Sequence, residues 1–248
     1  MIVRGVNPAD PFTALEAFMN YPGRPGTFAD RVRARILDVA EEHFHRIGHQ
    51  KTSMADIAFE LGMSRANIYR FFSSKDAISE SVCGRILSRA ADVAVAIASK
   101  NVAALEKLEQ ILSAVHHYNK MQLAEEKHMH DLVATAARED WPVIKAHEER
   151  MMTILEAIVR EDEFEVEDPA ETACAVNTAF TPFLHPILIE HSVRRGEDTE
   201  AALRQQFRFI QKALGQSAGA ADRPSAPLLA SPSDSRLGLN LPRSRKSQ

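Results

Sequence analysis

The chain has 248 residues, of which 45% are hydrophobic, 6% aromatic and 26% charged, and its formal net charge is −4. These proportions predict a globular protein with a core large enough to fold without disulfides or a structural metal. Two cysteines, no long apolar run and no N-terminal signal sequence predict a cytoplasmic protein that does not contact the membrane.

Charge is unevenly distributed along the chain. Residues 30–90 contain ten basic and eight acidic side chains, whereas residues 91–220 contain 13 basic and 22 acidic ones. A chain with an isoelectric point near 6.2 cannot bind polyanions over its whole surface. A nucleic-acid site must therefore lie on a small, locally basic face.

Both ends of the chain are predicted to lack regular structure. Residues 1–29 contain several prolines and glycines that interrupt helical hydrogen bonding, which predicts a flexible N-terminal arm. Residues 216–248 are rich in small and polar residues and in proline, which predicts a disordered tail. The tail ends in Arg243, Arg245 and Lys246, and it is either a solubilising segment or a nonspecific DNA contact.

Between these ends, apolar residues recur every three or four positions, which predicts helices throughout and no β-structure. The first helix ends at Gly48, a typical C-terminal cap. A second helix begins at Ser53, where Asp56 completes a capping box, and Gly62 ends it. Ser64 then caps a third, short helix.

Longer helices are predicted for the rest of the chain, giving an all-α fold of about nine helices. Asp168 caps one of them, with Glu171 closing a capping box. Pro182 and Pro186 are expected to bend or interrupt this helix. The predicted ranges run from after residue 73 or 74 to about 99, then cover 102–122, 124–139, 142–163, 168–195 and 199–214.

Residues 52–75 have the layout of a helix-turn-helix, in which two short amphipathic helices flank a turn that begins with glycine. The apolar positions of the second of these helices, over about residues 64–72, face inward, and its other positions must meet solvent or a ligand. Arginine and asparagine match the edges of guanine and adenine, and an α-helix fits the major groove. The outward positions are Arg65, Ala66, Asn67, Tyr69 and Arg70.

This segment resembles the DNA-binding domain of TetR-family transcriptional regulators over about residues 30–90. The resemblance is carried by Thr52, Asp56-Ile57-Ala58, Gly62-Met63-Ser64, Ile68-Tyr69, Phe72 and Lys75-Asp76. It implies phosphate contacts by Tyr69 and Lys75, backbone contacts by Thr52 or Ser53, and base contacts by Arg65, Ala66, Asn67 and Arg70. Ser64, at the start of the recognition helix, belongs to the same candidate set.

Three positions depart from the family pattern, namely Ala55, Ala66 and Phe71. Phe71 cannot form a hydrogen bond with a phosphate. Two other interpretations remain open: a three-helix unit with a purely structural role, and simple half-buried packing for Tyr69. A lysine near a helix start, as at Lys75, is unfavourable by about half a kcal/mol without an anion, which favours a phosphate partner.

Residues 91–215 are predicted to form an effector-binding and dimerisation domain, since the resemblance implies a ligand domain whose chemistry differs between members. No nucleotide loop, hydrolase elbow or metalloprotease motif is present, so the sequence supports neither an enzyme nor a cofactor. The pairs His116/His117 and His128/His130 point in different directions on a helix, which argues against a metal site.

An apolar ligand site is predicted from large flexible or aromatic side chains on successive helices, although each of them could equally be part of the core. These candidates are Tyr118, Met121, Met129, Trp141, Met151, Met152, Phe180 and Phe183.

The resemblance also implies a homodimer with a four-helix interface, and Phe207, Ile210 and Leu214 form an apolar stripe suited to it. Two recognition helices about 34–36 Å apart would require a palindromic operator on double-stranded DNA. The hypothesis is a dimeric repressor that responds to an unidentified small molecule. The alternative is a helical interaction module whose N-terminal unit binds another protein.

Overall fold

A computed structural model describes residues 27–161, 164 and 166–216. This part of the chain contains ten α-helices and no strand, which confirms the all-α prediction. The helices are α1 (Phe28–Ile47), α2 (Met54–Glu60), α3 (Arg65–Tyr69), α4 (Lys75–Ala98), α5 (Ala104–Glu125), α6 (Lys127–Arg138), α7 (Pro142–Val159), α8 (Pro169–Leu184), α9 (Pro186–Arg194) and α10 (Thr199–Gln216). Apart from their innermost residues, the expected arm and tail lie outside the described residues.

Local capping chemistry sets the boundaries of the first helices. Gly48 follows α1 with a φ of +87°, in the left-handed region that favours glycine. The Ser53 hydroxyl accepts a hydrogen bond from the Asp56 amide at 3.2 Å, and the Asp56 carboxylate accepts one from the Ser53 amide at 2.8 Å. The Ser64 hydroxyl accepts from the amide of Asn67 at 3.2 Å. All three predicted caps are therefore confirmed.

The predicted helix over 168–195 is divided into α8 and α9, which are bent by 47° relative to each other. The break lies at His185, whose extended backbone is the conformation that a following proline favours, here Pro186. Pro182 remains inside α8. Asp168 caps α8 through two backbone amides, but no bond from Glu171 back to the cap forms, so the predicted capping box was wrong.

None of the described helices is by itself long and apolar enough to cross a bilayer. The bent pair α8–α9 reaches the required length and composition only when its two parts are combined.

Two hydrophobic cores lie along the molecule, and α4 contributes to both. The first core joins α1–α3 to the N-terminal part of α4 and to α6, and its members include Ile36, Phe44, Ile57, Ile68, Ile78, Val82, Met129 and Leu132. The second core joins the C-terminal part of α4 to α5, α7, α8 and α10, and its members include Val93, Ile97, Leu108, Ile158, Phe180 and Phe207. The helix-turn-helix therefore packs directly against the larger helical body.

Ion pairs add to this connection between α1 and α4. Arg85 of α4 pairs with Asp38 at 2.7 Å, and Arg89, one turn further along α4, pairs with Glu41 at 2.6 Å. Arg85 also donates a hydrogen bond to the backbone oxygen of Ala34 at 3.2 Å. Because both arginines project from α4, these contacts link α4 directly to α1.

Candidate functional site

Helix α3 is anchored by one fully buried residue and exposes the rest of its surface. Ile68 has no exposed area and belongs to the first core. The exposed residues are Ser64, Arg65, Ala66, Asn67, Tyr69 and Arg70. The side chains assigned to DNA bases from the sequence therefore share one accessible surface, and two of them are cationic.

The regular part of α3 is shorter than the predicted range of about 64–72. The helix ends at Tyr69, although the amides of Phe71 and Phe72 still donate to the carbonyl oxygen of Ile68, at 2.9 and 3.0 Å. Phe71 is half-buried and packs against the first core, and the guanidinium of Arg33 lies 5.3 Å from the centre of the Phe72 ring. Sequence reasoning did not identify Arg33, because this contact depends on how α1 crosses α3.

Three further DNA-binding candidates lie at the start of α2 and α4, in different environments. Thr52 is 1% exposed, and its hydroxyl donates to the backbone oxygen of Gly48 at 3.0 Å. Ser53 is exposed. The ammonium group of Lys75 donates to the backbone oxygens of His49 and Gln50, both at 3.1 Å, and so holds the loop between α1 and α2.

Helices α4–α9 surround a cavity of about 140 Å³. Of the eight residues predicted to contact a ligand, Tyr118 and Met151 line this cavity. The other six lie outside its lining: Met121 and Trp141 pack against the first core, Met152 and Phe183 pack against the second, and Met129 and Phe180 are buried core residues. The sequence pattern identified apolar residues but could not show which of them border empty space.

The polar groups that line the cavity come from several helices and were not predicted. The Gln122 amide nitrogen donates to the Glu126 carboxylate at 2.9 Å, whereas its oxygen is buried without a hydrogen bond. Burial lowers the pKa of His147 to about 4. Burial also lowers the pKa of His185, whose Nδ1 is buried without a partner. These groups are adjacent only in the folded chain, so no sequence motif marks them.

The histidine pairs noted in the sequence have structural contacts. Nδ1 of His116 lies 2.9 Å from the backbone oxygen of Phe183, and Nε2 lies 3.2 Å from the hydroxyl of Thr199. Nε2 of His130 lies 3.5 Å from the Glu190 carboxylate. Within the described ranges, His, Cys, Asp and Glu form no group of three or more that could hold a metal ion.

The apolar stripe predicted for self-association is used largely within the chain itself. Phe207 and Leu214 are buried in the second core, and Ile210 packs against it. Other apolar side chains on the last two helices are exposed, namely Phe209 (67%), Leu188 and Val193. Exposed apolar side chains thus remain on α9 and α10, at positions different from those proposed from the sequence.

Two family models match the chain. The model described as bacterial regulatory proteins of the tetR family matches residues 36–82, which include α2, α3 and most of α1. The model described as a tetracyclin repressor-like C-terminal domain matches residues 104–203. No curated protein matches the chain in sequence.

Solved structures share the fold over more than three quarters of this chain. A TetR-family transcriptional regulator from Pectobacterium atrosepticum is 20% identical with a TM-score of 0.53, and the match covers 77% of this chain and 96% of that one. A TetR transcriptional regulator from Legionella pneumophila is 19% identical with a TM-score of 0.50, and the match covers 78% of this chain and 100% of that one.

Proposed function

Because this chain belongs to the TetR family of transcriptional regulators, we propose that it is a repressor that binds a palindromic operator as a homodimer and is released by a small-molecule effector. Operator binding requires access to the chromosome, so the proposal places the protein in the cytoplasm.

The observation that carries the proposal is the exposed surface of α3. Ile68 fixes the helix in the first core, so Arg65, Asn67 and Arg70 point away from it and remain accessible. Arginine can bind guanine O6 and N7 together, and asparagine can bind adenine N6 and N7. Tyr69, 52% exposed, and Ser53 are also accessible, and phosphate contacts are assigned to them. The proposal assigns base recognition to α3 and phosphate contacts to its surroundings.

Dimer formation is supported by the exposed apolar side chains of α9 and α10. Phe209 is two-thirds exposed, and Leu188 and Val193 are also accessible. Apolar side chains exposed to water are stabilised when a second chain covers them. Binding of a palindromic operator by a two-fold dimer requires the two copies of α3 to lie about 34–36 Å apart, one turn of B-DNA, so that each enters a major groove.

Effector response is supported by the position of the cavity beside α4. Ile86, Leu87 and Ala90 of this helix line the cavity, while Arg85 and Arg89 bind α1. A ligand that favours a shifted α4 therefore also favours a different placement of the helix-turn-helix. Such a ligand can change the equilibrium only by its difference in affinity, and a change from 1:99 to 99:1 requires about 5.5 kcal/mol.

Selection of bound sequences from a pool of random duplex DNA tests this proposal. The wild-type chain should enrich a palindrome with two half-sites about one helical turn apart. A variant lacking the proposed base contacts, Arg65→Ala/Asn67→Ala/Arg70→Ala, should enrich no sequence, whereas Lys145→Ala/Arg160→Ala, which removes two exposed cations on and just after α7, should enrich the same palindrome. Failure of the wild-type chain to enrich any sequence or to bind duplex DNA in a salt-dependent way would favour a protein-interaction role instead.

A further inference from the structure

The cavity contains an acceptor that nothing in the protein satisfies. Gln122 is 8% exposed, lines the cavity, and donates its amide N–H to the Glu126 carboxylate at 2.9 Å. Because a carboxylate only accepts hydrogen bonds, this contact fixes the orientation of the amide. The opposite atom, Oε1, is therefore a buried acceptor at the cavity wall with no hydrogen bond. A ligand that donates a hydrogen bond to this atom recovers the interaction that burial removes.

The charges around the cavity disfavour an anionic ligand. Among the described residues that line it there is no lysine or arginine, and the one carboxylate, Glu148, is exposed. Three imidazoles, His130, His147 and His185, also line it. Burial lowers the pKa of His147 to about 4 and lowers that of His185 below its usual value, so neither ring supplies a positive charge at neutral pH. A carboxylate or phosphate in this cavity would lose its hydration without gaining a lysine or arginine partner from the described lining.

The size of the cavity limits the ligand to about one ring. Its volume is about 140 Å³, and an apolar cavity of ~150 Å³ is sufficient to bind benzene. Most of the lining is aliphatic and includes Ile86, Ile111 and Leu155. The site therefore offers apolar contact on most sides and two buried polar atoms without partners at its wall, Oε1 of Gln122 and Nδ1 of His185. Of these, Oε1 is an acceptor in every state of its residue, whereas the tautomer of the imidazole decides whether Nδ1 donates or accepts.

We propose that this cavity binds a compact, uncharged, single-ring molecule whose hydroxyl or N–H group donates a hydrogen bond to Oε1 of Gln122. This inference rests on the effector-binding part of the proposed function and adds the chemical class of the effector. Gln122 is the residue that selects for a hydrogen-bond donor. Acids of the same size are disfavoured because the described lining contains no lysine or arginine.

Three probes of nearly equal shape test the chemical class: p-cresol, 4-methylanisole and 4-methylbenzoate. Their affinities for the full chain, without DNA, are measured by isothermal titration calorimetry at pH 7.5. p-Cresol should bind about fivefold more tightly than the ether, which cannot donate, and more than tenfold more tightly than the benzoate. Equal or tighter binding of the ether or the benzoate, or saturable binding of none of the three, would overturn the proposal.

Substitution of Gln122 tests the assigned residue. Gln122→Leu removes the acceptor at similar volume, so the cresol affinity should fall about fivefold to that of the ether, whose own affinity stays the same and shows that the cavity is intact. The control is Gln110→Leu on α5, whose amide oxygen accepts from Lys100 at 2.8 Å outside the cavity. It should keep the wild-type preference for cresol. Persistence of that preference in Gln122→Leu would refute the assignment.

The duplex selection described above separates this inference from the proposed function. If the chain enriches a palindrome but does not prefer cresol, the ligand class is wrong and the regulator remains supported. If cresol is preferred through Gln122 but no duplex is enriched, the site stands and the operator proposal fails.

Discussion

Arg70, exposed at the end of α3, is expected to recognise a base. Arg70→Ala should weaken operator binding by about 1–3 kcal/mol and relax the sequence preference at one position of each half-site, because a bidentate contact is lost. Dissociation constants for the selected operator and for its single-base variants measure both effects. Lys145→Ala, at an exposed position on α7, is the control and should change neither. Unchanged base preference in Arg70→Ala would remove this residue from the recognition set.

Lys75 is expected to contribute equally to the binding of every DNA sequence. Its ammonium group has three N–H donors, two of which bind the backbone oxygens of His49 and Gln50, and the third can reach a phosphate. Lys75→Met should weaken binding to every DNA sequence by a similar factor. It should also reduce the slope of log affinity against log salt concentration by about one unit per subunit. It should also lower the free energy of unfolding by about 1 kcal/mol, since two hydrogen bonds are lost.

Salt-dependent binding assays and urea unfolding measure the two effects of Lys75→Met. Lys145→Met, at an exposed position on α7, controls for the loss of one positive charge. A greater loss of base preference in Lys75→Met than in Arg70→Ala would contradict the division of roles.

His147 is expected to make the stability of the protein depend on pH. Burial lowers its pKa in the folded chain to about 4, below the ordinary histidine value of about 6.5 that applies when the chain unfolds. The free energy of unfolding therefore has its full value above pH 6.5 and decreases as the pH falls towards 4. Near pH 5, His147→Gln should reduce the number of protons taken up on unfolding by about one. The slope of the unfolding free energy against pH should therefore decrease by about 1.4 kcal/mol per pH unit.

Urea unfolding between pH 4.5 and pH 7 measures the change caused by His147→Gln. The control is His191→Gln, which removes an exposed imidazole from α9. The same pH slope in His147→Gln as in the wild-type chain would show that this histidine is not kept neutral by burial.

Individual residues were predictable where their partners are close in sequence. Ser53 and Ser64 were identified as caps because a capping hydroxyl bonds to an amide only three residues away. The contacts of Lys75 and Gln122 could not be foreseen in the same way. The carbonyl groups bound by Lys75 lie 25 and 26 residues away, and the importance of the Gln122 oxygen comes from what the folded cavity lacks.

At the level of elements, the turn between α2 and α3 depends on Gly62. Its φ is +62° and nothing lies within 4 Å of an added Cβ, so Gly62→Ala should cost only the backbone penalty of about 1 kcal/mol. Gly196→Ala is a matched control, because this glycine has a φ of +72° and is equally open. Both variants should lose similar stability in urea, but only Gly62→Ala should weaken operator binding. Equal operator affinity in the two variants would mean that the turn does not set the orientation of α3.

Helical periodicity predicted the elements well but not the direction of each apolar stripe. The stripe containing Phe207, Ile210 and Leu214 was predicted because apolar residues recur every three or four positions on α10. Periodicity does not distinguish a stripe that faces the core of the same chain from one that faces a second chain. In the structure Phe207 packs near Phe180, with ring centres 6.4 Å apart, and Phe209 is exposed instead.

At the scale of the whole molecule, α4 and α5 connect the cavity to the helix-turn-helix. α4 lines the cavity with Ile86 and binds α1 through Arg85 and Arg89. At the end of α5, Glu126 accepts from the cavity residue Gln122 and lies 3.9 Å from His45 of α1. A ligand that contacts Gln122 is thus connected to α1 through two side chains, those of Gln122 and Glu126. The overall fold and this unit were predicted from the sequence, whereas these connections required the packing of distant helices.

The most direct test of the central claim is a base-resolution protection footprint of the selected operator, combined with the mass of the complex. The account predicts two chains per duplex and two protected major-groove segments about one helical turn apart. It also predicts that Arg65→Ala/Asn67→Ala/Arg70→Ala abolishes both segments together. One chain per duplex with a single protected segment, or full protection by the triple variant, would contradict the assignment of α3 as the DNA-recognition helix of a symmetric dimer.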